Sequence, residues 1–200
     1  MNIVEQSFEI LPPGINVTQF YSTIENAGRT CYKSESSTDF KKCREFVKML
    51  VEKGHESVLE HCSFSVRFIV DRGVSHEMVR HRLCAFSQES TRYVNYGKKP
   101  MSIVHPKGLS DIQRIRREMH YDDCYRIYLT ELKEGITPQI ARGVLPTALK
   151  TEIVTTANLR QWRHMLRLRT STVAHPQMRE VMVPLLEQLK NEMPEVFGDI

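Results

Sequence analysis

Between Ser63 and Arg72 the sequence changes period. Phe64, Val66, Phe68 and Val70 alternate with Ser63, Ser65 and Arg67, the pattern of a half-buried strand with one apolar face. Its neighbours repeat as helices. Residues 17–29 and 38–53 read as helical, the second with Phe40, Cys43, Val47, Leu50 and Val51 at helical spacing and Gly54 as its C-cap glycine. Before them, residues 1–10 read as a first strand ended by Pro12-Pro13-Gly14. After the alternating strand, Gly73 is expected to break it, and a short helix to run from about Ser75 to Arg82 into an extended stretch at 86–93. The span from Lys98-Lys99-Pro100 to Pro106-Lys107-Gly108 reads as a loop and as the most mobile segment. A long helix is predicted from about Asp111 to Lys133, closed by Gly135, with a short helix restarting at Thr137-Pro138. Ala148 to Thr156 reads as a second strand. Asn158 then caps a helix to about Arg169, and a last helix from Pro176 to Asn191 is expected to kink at Pro184. The sum is an α+β chain with a small sheet and long helices, and no linker divides residues 1–200, which predicts one domain.

Composition excludes more than it assigns. No apolar run approaches the ~20 residues that cross a bilayer, and the first residues carry no basic-then-apolar leader, so a cytoplasmic protein is expected. The five cysteines, Cys31, Cys43, Cys62, Cys84 and Cys124, are scattered and show no C-x-x-C pair, which argues against a zinc or disulfide framework and for reduced thiols. His55 and His61 lack a third ligand at sensible spacing, so no metal is expected. A net charge of +4 allows acidic ligands but is small for a dedicated nucleic-acid binder, and neither an aromatic-interleaved basic motif nor a helix-turn-helix pattern is present. A binder of long polynucleotides through two arginine clusters is the competing functional class.

Those clusters fall at 80–92 and 160–169. Three consecutive basic side chains on a helix point ~100° apart, so Arg80, His81 and Arg82 cannot all serve one ligand from mid-helix, but at a helix end running into an extended segment they can contact two adjacent ligands. In an extended continuation Gln88, Ser90 and Arg92 would share a face, offering an amide, a hydroxyl and a guanidinium to a phosphate and a polar base edge. A solvated basic surface explains the same residues. In the later cluster Leu159, Trp162 and Leu166 form an apolar helix face, with Arg160, Arg163, His164 and Arg167 on another. No G-x-G-x-x-G follows a strand, so a dinucleotide phosphate would have to be met by arginine, histidine and backbone N–H groups. Cys84, beside Arg82, is a candidate thiolate or a small buried residue. Ser90 has no general base in view and is assigned to ligand contact.

Arg80-His81-Arg82, seven residues and then Ser90 is the pattern of flavin-dependent thymidylate synthases, which the chain resembles over roughly residues 20–180. The shared block widens to His55-Glu56-Ser57, Glu60-His61 and Arg92-Tyr93. Three further stretches agree in order: Gly28 to Tyr32, Ala141 to Pro146, and Asn158-Leu159-Arg160 through Leu168-Arg169. The resemblance implies an α+β fold with a small, mostly antiparallel sheet packed by long helices. It implies conversion of dUMP to dTMP, with methylenetetrahydrofolate giving the carbon and FAD reduced by NADPH giving the hydride. It implies a homotetramer with shared sites, in which dUMP and folate are the partners and neither nucleic acid nor membrane is.

Carried over by position, Ser57, Arg80, His81, Arg82, Gln88, Asn158, Arg160 and His164 would hold FAD. Glu77, Met78, Val79, Arg80, Gln88, Glu89, Ser90, Thr91, Arg92, Arg142 and Arg169 would surround the nucleotide, with Arg169 the catalytic group that favours ionisation of uracil N3. A guanidinium stays charged at any working pH and stabilises negative charge on the O2–N3 edge, so C5 becomes nucleophilic without a protein cysteine. The departures are His76 and Glu77 where relatives have Arg-Gln, Gln88 where some have Glu, and His164 in place of Asn. The first of the two histidines, His55, would lie near the flavin ring.

Overall fold

The computed structural model describes residues 1–200, and their contacts divide them into two compact units. One is Met1–Ser7 with Phe68–Arg80 and Ser87–Val154; the other is Phe8–Arg67 with His81–Phe86 and Thr155–Ile200. The fold is α+β with a small antiparallel sheet. Strand β2 (Ser7–Ile10), β3 (Ser63–Asp71), β6 (Lys150–Asn158) and β4 (Ala85–Gln88) lie in the order β2-β3-β6-β4. A separate two-stranded parallel sheet pairs β1 (Asn2–Val4) with β5 (Ser102–Val104), with Ile3 opposite Ile103. The single strand expected over residues 1–10 is therefore two strands in different sheets, and the expected loop at 98–108 contains a strand. Met101, Ile103 and Val104 are fully buried, so tertiary pairing overrides the loop composition on either side.

In the first unit, Tyr96, Met101, Ile103, Tyr121, Tyr128, Ala141 and Leu149 form a buried cluster. The long helix α4 (Asp111–Lys133) supplies two of those tyrosines. Ser110 caps it in a reciprocal box with Gln113, and Gly135 closes it at φ +88°. Helix α3 (Arg72–Met78) starts three residues before the expected position and ends before the arginine cluster. The Asp71 carboxylate accepts from Val74 N at 2.6 Å, and the Thr147 and Leu149 carbonyls accept from Arg72 N at 3.0 and 3.1 Å. Gly73 thus sits in the first turn, where orphan N–H groups already need outside partners, and it does not break the chain there. A short helix, α5 (Pro138–Ala141), begins at the expected Thr137-Pro138.

In the second unit, α1 (Val17–Tyr32) and α2 (Phe40–Glu52) cross closely. A Cβ built on Gly28 would stand 2.7 Å from Leu50 Cδ1 and 2.9 Å from Phe46 Cε1, so a larger residue would have to push those side chains aside. Helix α2 ends as expected: Gly54 takes φ +73°, Gly54 N donates to Val51 O and His55 N to Leu50 O, a Schellman close. A 3-10 segment covers Glu56–His61. Helix α6 (Leu159–Thr170) follows β6 directly, because the Asn158 side chain accepts from Gln161 N at 2.8 Å. Its Trp162 is fully buried, stacks on Phe64 at 4.9 Å and donates to the Phe64 carbonyl at 3.2 Å. Helix α7 (Pro176–Glu192) runs through Pro184 unbroken, and α8 (Pro194–Phe197) buries Val196 and Phe197.

Candidate functional site

In the second unit, the turn at His81 and the C-terminal half of α6 bring two predicted residues into contact. Arg169 Nε donates to His81 Nε2 at 2.9 Å, and the His164 ring meets His81 edge-on at 6.0 Å. His81 is only 6% exposed. Burial first, then the positive charge of Arg169 and then His164, pull its pKa down to about 4. The imidazole is therefore neutral at physiological pH and is the acceptor in this bond.

One turn back on α6 is a cleft of about 590 Å³ whose walls include Asn158, Arg160, His164 and Leu83. Its arginines are already engaged. Arg160 meets Glu60 at 2.5 Å, and Arg167 approaches Glu56 at 3.6 Å. Leu83 is 80% exposed and presents an apolar side chain to the cleft. Ser57 lies exposed on the 56–61 segment, and Arg82 is exposed beyond His81. Arg163, expected on the same polar face as Arg160, is instead 1% exposed. It donates to Glu56 at 3.0 Å, to both Asp199 oxygens at 2.6 and 2.7 Å, and to the Val196 carbonyl. At ~100° per residue it lies only ~40° round the helix from Leu159, so it borders the apolar face. Glu56, Glu60 and Asp199 were not expected from the sequence; the Glu56-Ser57 and Glu60-His61 segments of the motif carried the only signal.

In the first unit, a smaller cleft of about 150 Å³ is lined by Arg72, His76, Thr91, Arg142 and Thr147 among others. Arg142 Nη1 donates to Thr91 Oγ1 at 3.1 Å. Gln88 Nε2 donates to Ser75 Oγ at 2.8 Å and to Thr151 Oγ1 at 3.2 Å, which fixes its amide. The Glu89 carboxylate takes Tyr96 OH at 2.9 Å and Lys150 Nζ at 3.1 Å, so that side chain braces the unit. Met78 is fully buried, Val79 and Arg80 are exposed at the end of α3, and Glu77 is half-buried on it. The expected extended face of Gln88, Ser90 and Arg92 does not form. The chain leaves β4 after Gln88, and the Ser90 carbonyl accepts from Tyr93 N and Val94 N, closing a turn. Arg92 points over the Tyr93 ring at 5.5 Å. Arg72 and His76 are cleft residues that the sequence reading did not assign.

Residues 15–195 match the family model described as Thymidylate synthase complementing protein. A flavin-dependent thymidylate synthase of Corynebacterium efficiens is 34% identical over 198 residues, 88% of this chain and 78% of that one. The enzyme of the same description from Mycobacterium tuberculosis strain H37Rv is 34% identical over 196 residues with the same coverage. The chain belongs to the flavin-dependent thymidylate synthase family. The crystal structure of a UMP/dUMP methylase PolB from Streptomyces cacaoi bound with 5-Br dUMP shares the fold. It superposes with a TM-score of 0.81 over 99% of this chain and 96% of that one, at 23% identity.

For a flavin-dependent thymidylate synthase the state of the thiols matters. Burial pushes Cys62 up to about 11 and raises Cys84, and burial with the Glu25 carboxylate pushes Cys43 up to about 12. Cys84, the thiol nearest the arginine motif, is thus held protonated and is a poor nucleophile despite Arg82 beside it in sequence. No helix is long and apolar enough to cross a membrane.

Proposed function

We propose that this enzyme converts dUMP to dTMP with methylenetetrahydrofolate as carbon donor and an FAD reduced by NADPH, and that residues 1–200 carry the activity as one functional domain. The observation that supports it most directly is the 590 Å³ cleft, which collects Asn158, Arg160 and His164, three of the residues the sequence pattern gives to FAD. For a flavin, Arg160 would exchange its Glu60 pair for a phosphate oxygen, the His164 imidazole would offer an N–H group, and Leu83 an apolar wall for a ring. Ser57 and Arg82, exposed in the same unit, are the further holders. Bound there and reduced by NADPH, the flavin supplies the hydride of the new methyl group.

The chain's own residues do the rest. Arg142 with Thr91, beside Arg72 and His76, offers a cationic cleft for a nucleotide phosphate. Gln88, with its amide fixed, reads a polar edge. Arg169, charged throughout and half-buried, stabilises negative charge on the uracil O2–N3 edge. With Cys84 protonated, this electrostatic activation replaces thiol attack.

The purified protein should be yellow, its flavin absorbance bleached by NADPH without oxygen, and it should form dTMP only with dUMP and methylenetetrahydrofolate. A colourless protein that FAD does not reconstitute, and that forms no dTMP, defeats the reading.

The homotetramer and a cytoplasmic location belong to the same proposal. Self-association is supported by α4. Ile112, Ile115, Met119 and Ile127 are 46–71% exposed and fall within a ~120° arc at ~100° per residue, opposite the buried Tyr121 and Tyr128. The same arc carries the exposed Arg116, Asp123 and Arg126, so it is a mixed surface whose four large apolar side chains suit a contact between copies.

A further inference from the structure

The cleft that collects Asn158, Arg160 and His164 is also lined by two carboxylates, Glu56 and Glu60. In and around it Arg160, Arg163 and Arg167 meet Glu56, Glu60 and Asp199, three charges of each sign. A guanidinium grips a phosphate with the same N–H fork that grips a carboxylate. A pyrophosphate therefore gains a cationic seat here when one of the protein's own anions gives way.

The three carboxylates are not equally replaceable. Glu56 accepts from Arg163 Nε at 3.0 Å, and the two Asp199 oxygens accept from Arg163 at 2.6 and 2.7 Å. Arg163 is 1% exposed, so displacing either would take a counter-charge from a buried cation. Arg167 shares the same two, 3.6 Å from Glu56 and 2.7 Å from Asp199. The Glu60 carboxylate stands apart from that lattice. It meets Arg160 at 2.5 Å, with the two side chains 45% and 52% exposed. Arg160 also lies 3.8 Å from Glu56, which leaves it a looser counter-charge once Glu60 moves off. An exposed pair of this kind holds by a factor of about five at most, weak enough to be broken by a phosphate. While it holds, it lowers the apparent affinity of a competing anion by the fraction of Arg160 left open.

We infer that Glu60 is an internal competitor for the flavin: its carboxylate engages the Arg160 guanidinium and gives way to a phosphate oxygen of FAD, so that Glu60 sets how tightly the cofactor is held. This deepens the reading of the cleft as the flavin site and rests on it. No bond is made or broken covalently; one anion replaces another on Arg160.

The test is FAD binding to the whole chain stripped of flavin, followed by flavin fluorescence. Glu60→Gln keeps the size of the side chain and removes its charge, and it should lower the Kd for FAD roughly fivefold. Arg160→Ala should raise the Kd. Adding Glu60→Gln to Arg160→Ala should then change it by less than about twofold, because the cycle isolates the contact between the two residues. Salt gives a second readout. Between about 0.05 and 0.5 M, the Kd of Glu60→Gln should rise more steeply than that of wild type, whose Arg160 carries an anion before and after binding. A Kd for Glu60→Gln equal to or above the wild-type value, or parallel salt plots, overturns the competition. A gain that persists at full size in Arg160→Ala overturns it too, because the charge then acts on the flavin without Arg160. Absence of saturable FAD binding by wild type overturns the reading of the cleft itself, and the role of Glu60 with it.

Discussion

Arg160 and Arg163 stand three residues apart on α6 and do opposite work. Arg163 is almost wholly enclosed, with Glu56 and Asp199 as counter-charges. Removing it leaves the buried Val196 carbonyl unpaired and takes the shared counter-charge from a part-buried Glu56 and an exposed Asp199, so Arg163→Ala should cost about 1–3 kcal/mol, read as a fall in the urea midpoint. Arg160 is 52% exposed and its pairs with Glu60 and Glu56 face solvent. Arg160→Ala should cost at most about 1 kcal/mol yet weaken retention of the flavin on gel filtration. Equal losses of stability in the two variants would contradict this division. Single residues were the least legible scale in the sequence. The arginine pattern pointed to a candidate ligand region, but nothing local showed that His81 would meet Arg169, eighty-eight positions away. Likewise, a period-two reading of Gln88, Ser90 and Arg92 failed because Ser90 starts a hydrogen-bonded turn, which alternation in a short window does not reveal. The protonated state of Cys84 depends on burial, and so was open until the fold was known. Cys84→Ser should accordingly keep most of the dTMP-forming activity, whereas loss of activity with an intact flavin spectrum would restore the thiol as a candidate nucleophile.

At the scale of elements, the sequence predicts best where the signal is local. The strand at Ser63, helix α4 from Asp111 to Lys133 and the start of α6 at Asn158 all follow from period, caps and a closing glycine. It predicts worst where an element exists only through a distant partner. β1 forms because Ile3 pairs with Ile103, and neither segment carries a strong strand pattern of its own. Helix α4 shows a third case. It buries Tyr121 and Tyr128 on one side and leaves Ile112, Ile115, Met119 and Ile127 exposed among charged residues on the other, so a one-sided reading shows little amphipathicity. If the exposed face is a contact between copies, Met119→Lys with Ile115→Lys should lower the oligomeric state by light scattering and leave the helix content unchanged by circular dichroism. The buried Tyr128→Ala should instead destabilise the monomer, by about 3–5 kcal/mol for a large aromatic core residue. A double lysine variant with the mass of the wild type would remove α4 from the interface.

For the whole molecule, acid stability follows from two groups displaced in the same direction. His81 titrates near 6.5 in an unfolded chain and at about 4 when folded. As pH falls from about 6.5 to about 4, the unfolded chain binds a proton there that the folded one refuses, and stability drops; below about 4 this contribution is level. Asp199 is held down to about 2 by hydrogen bonds from Arg163, with Arg167 adding to them. Its share is intact above about 3.8, the unfolded value, and is lost as pH falls toward about 2. The two windows barely overlap, so variants separate them. Plotted against pH, the urea midpoint of wild type should fall through both windows. His81→Gln should flatten the upper window, and Asp199→Asn the lower one. The upper window also bears on the Arg169 contact, because a protonated His81 has no lone pair left to accept from Arg169 Nε. Coincident curves for wild type and His81→Gln between about pH 4 and 6.5 would mean that His81 titrates alike in both states, and that the pair with Arg169 does not exclude a proton in solution.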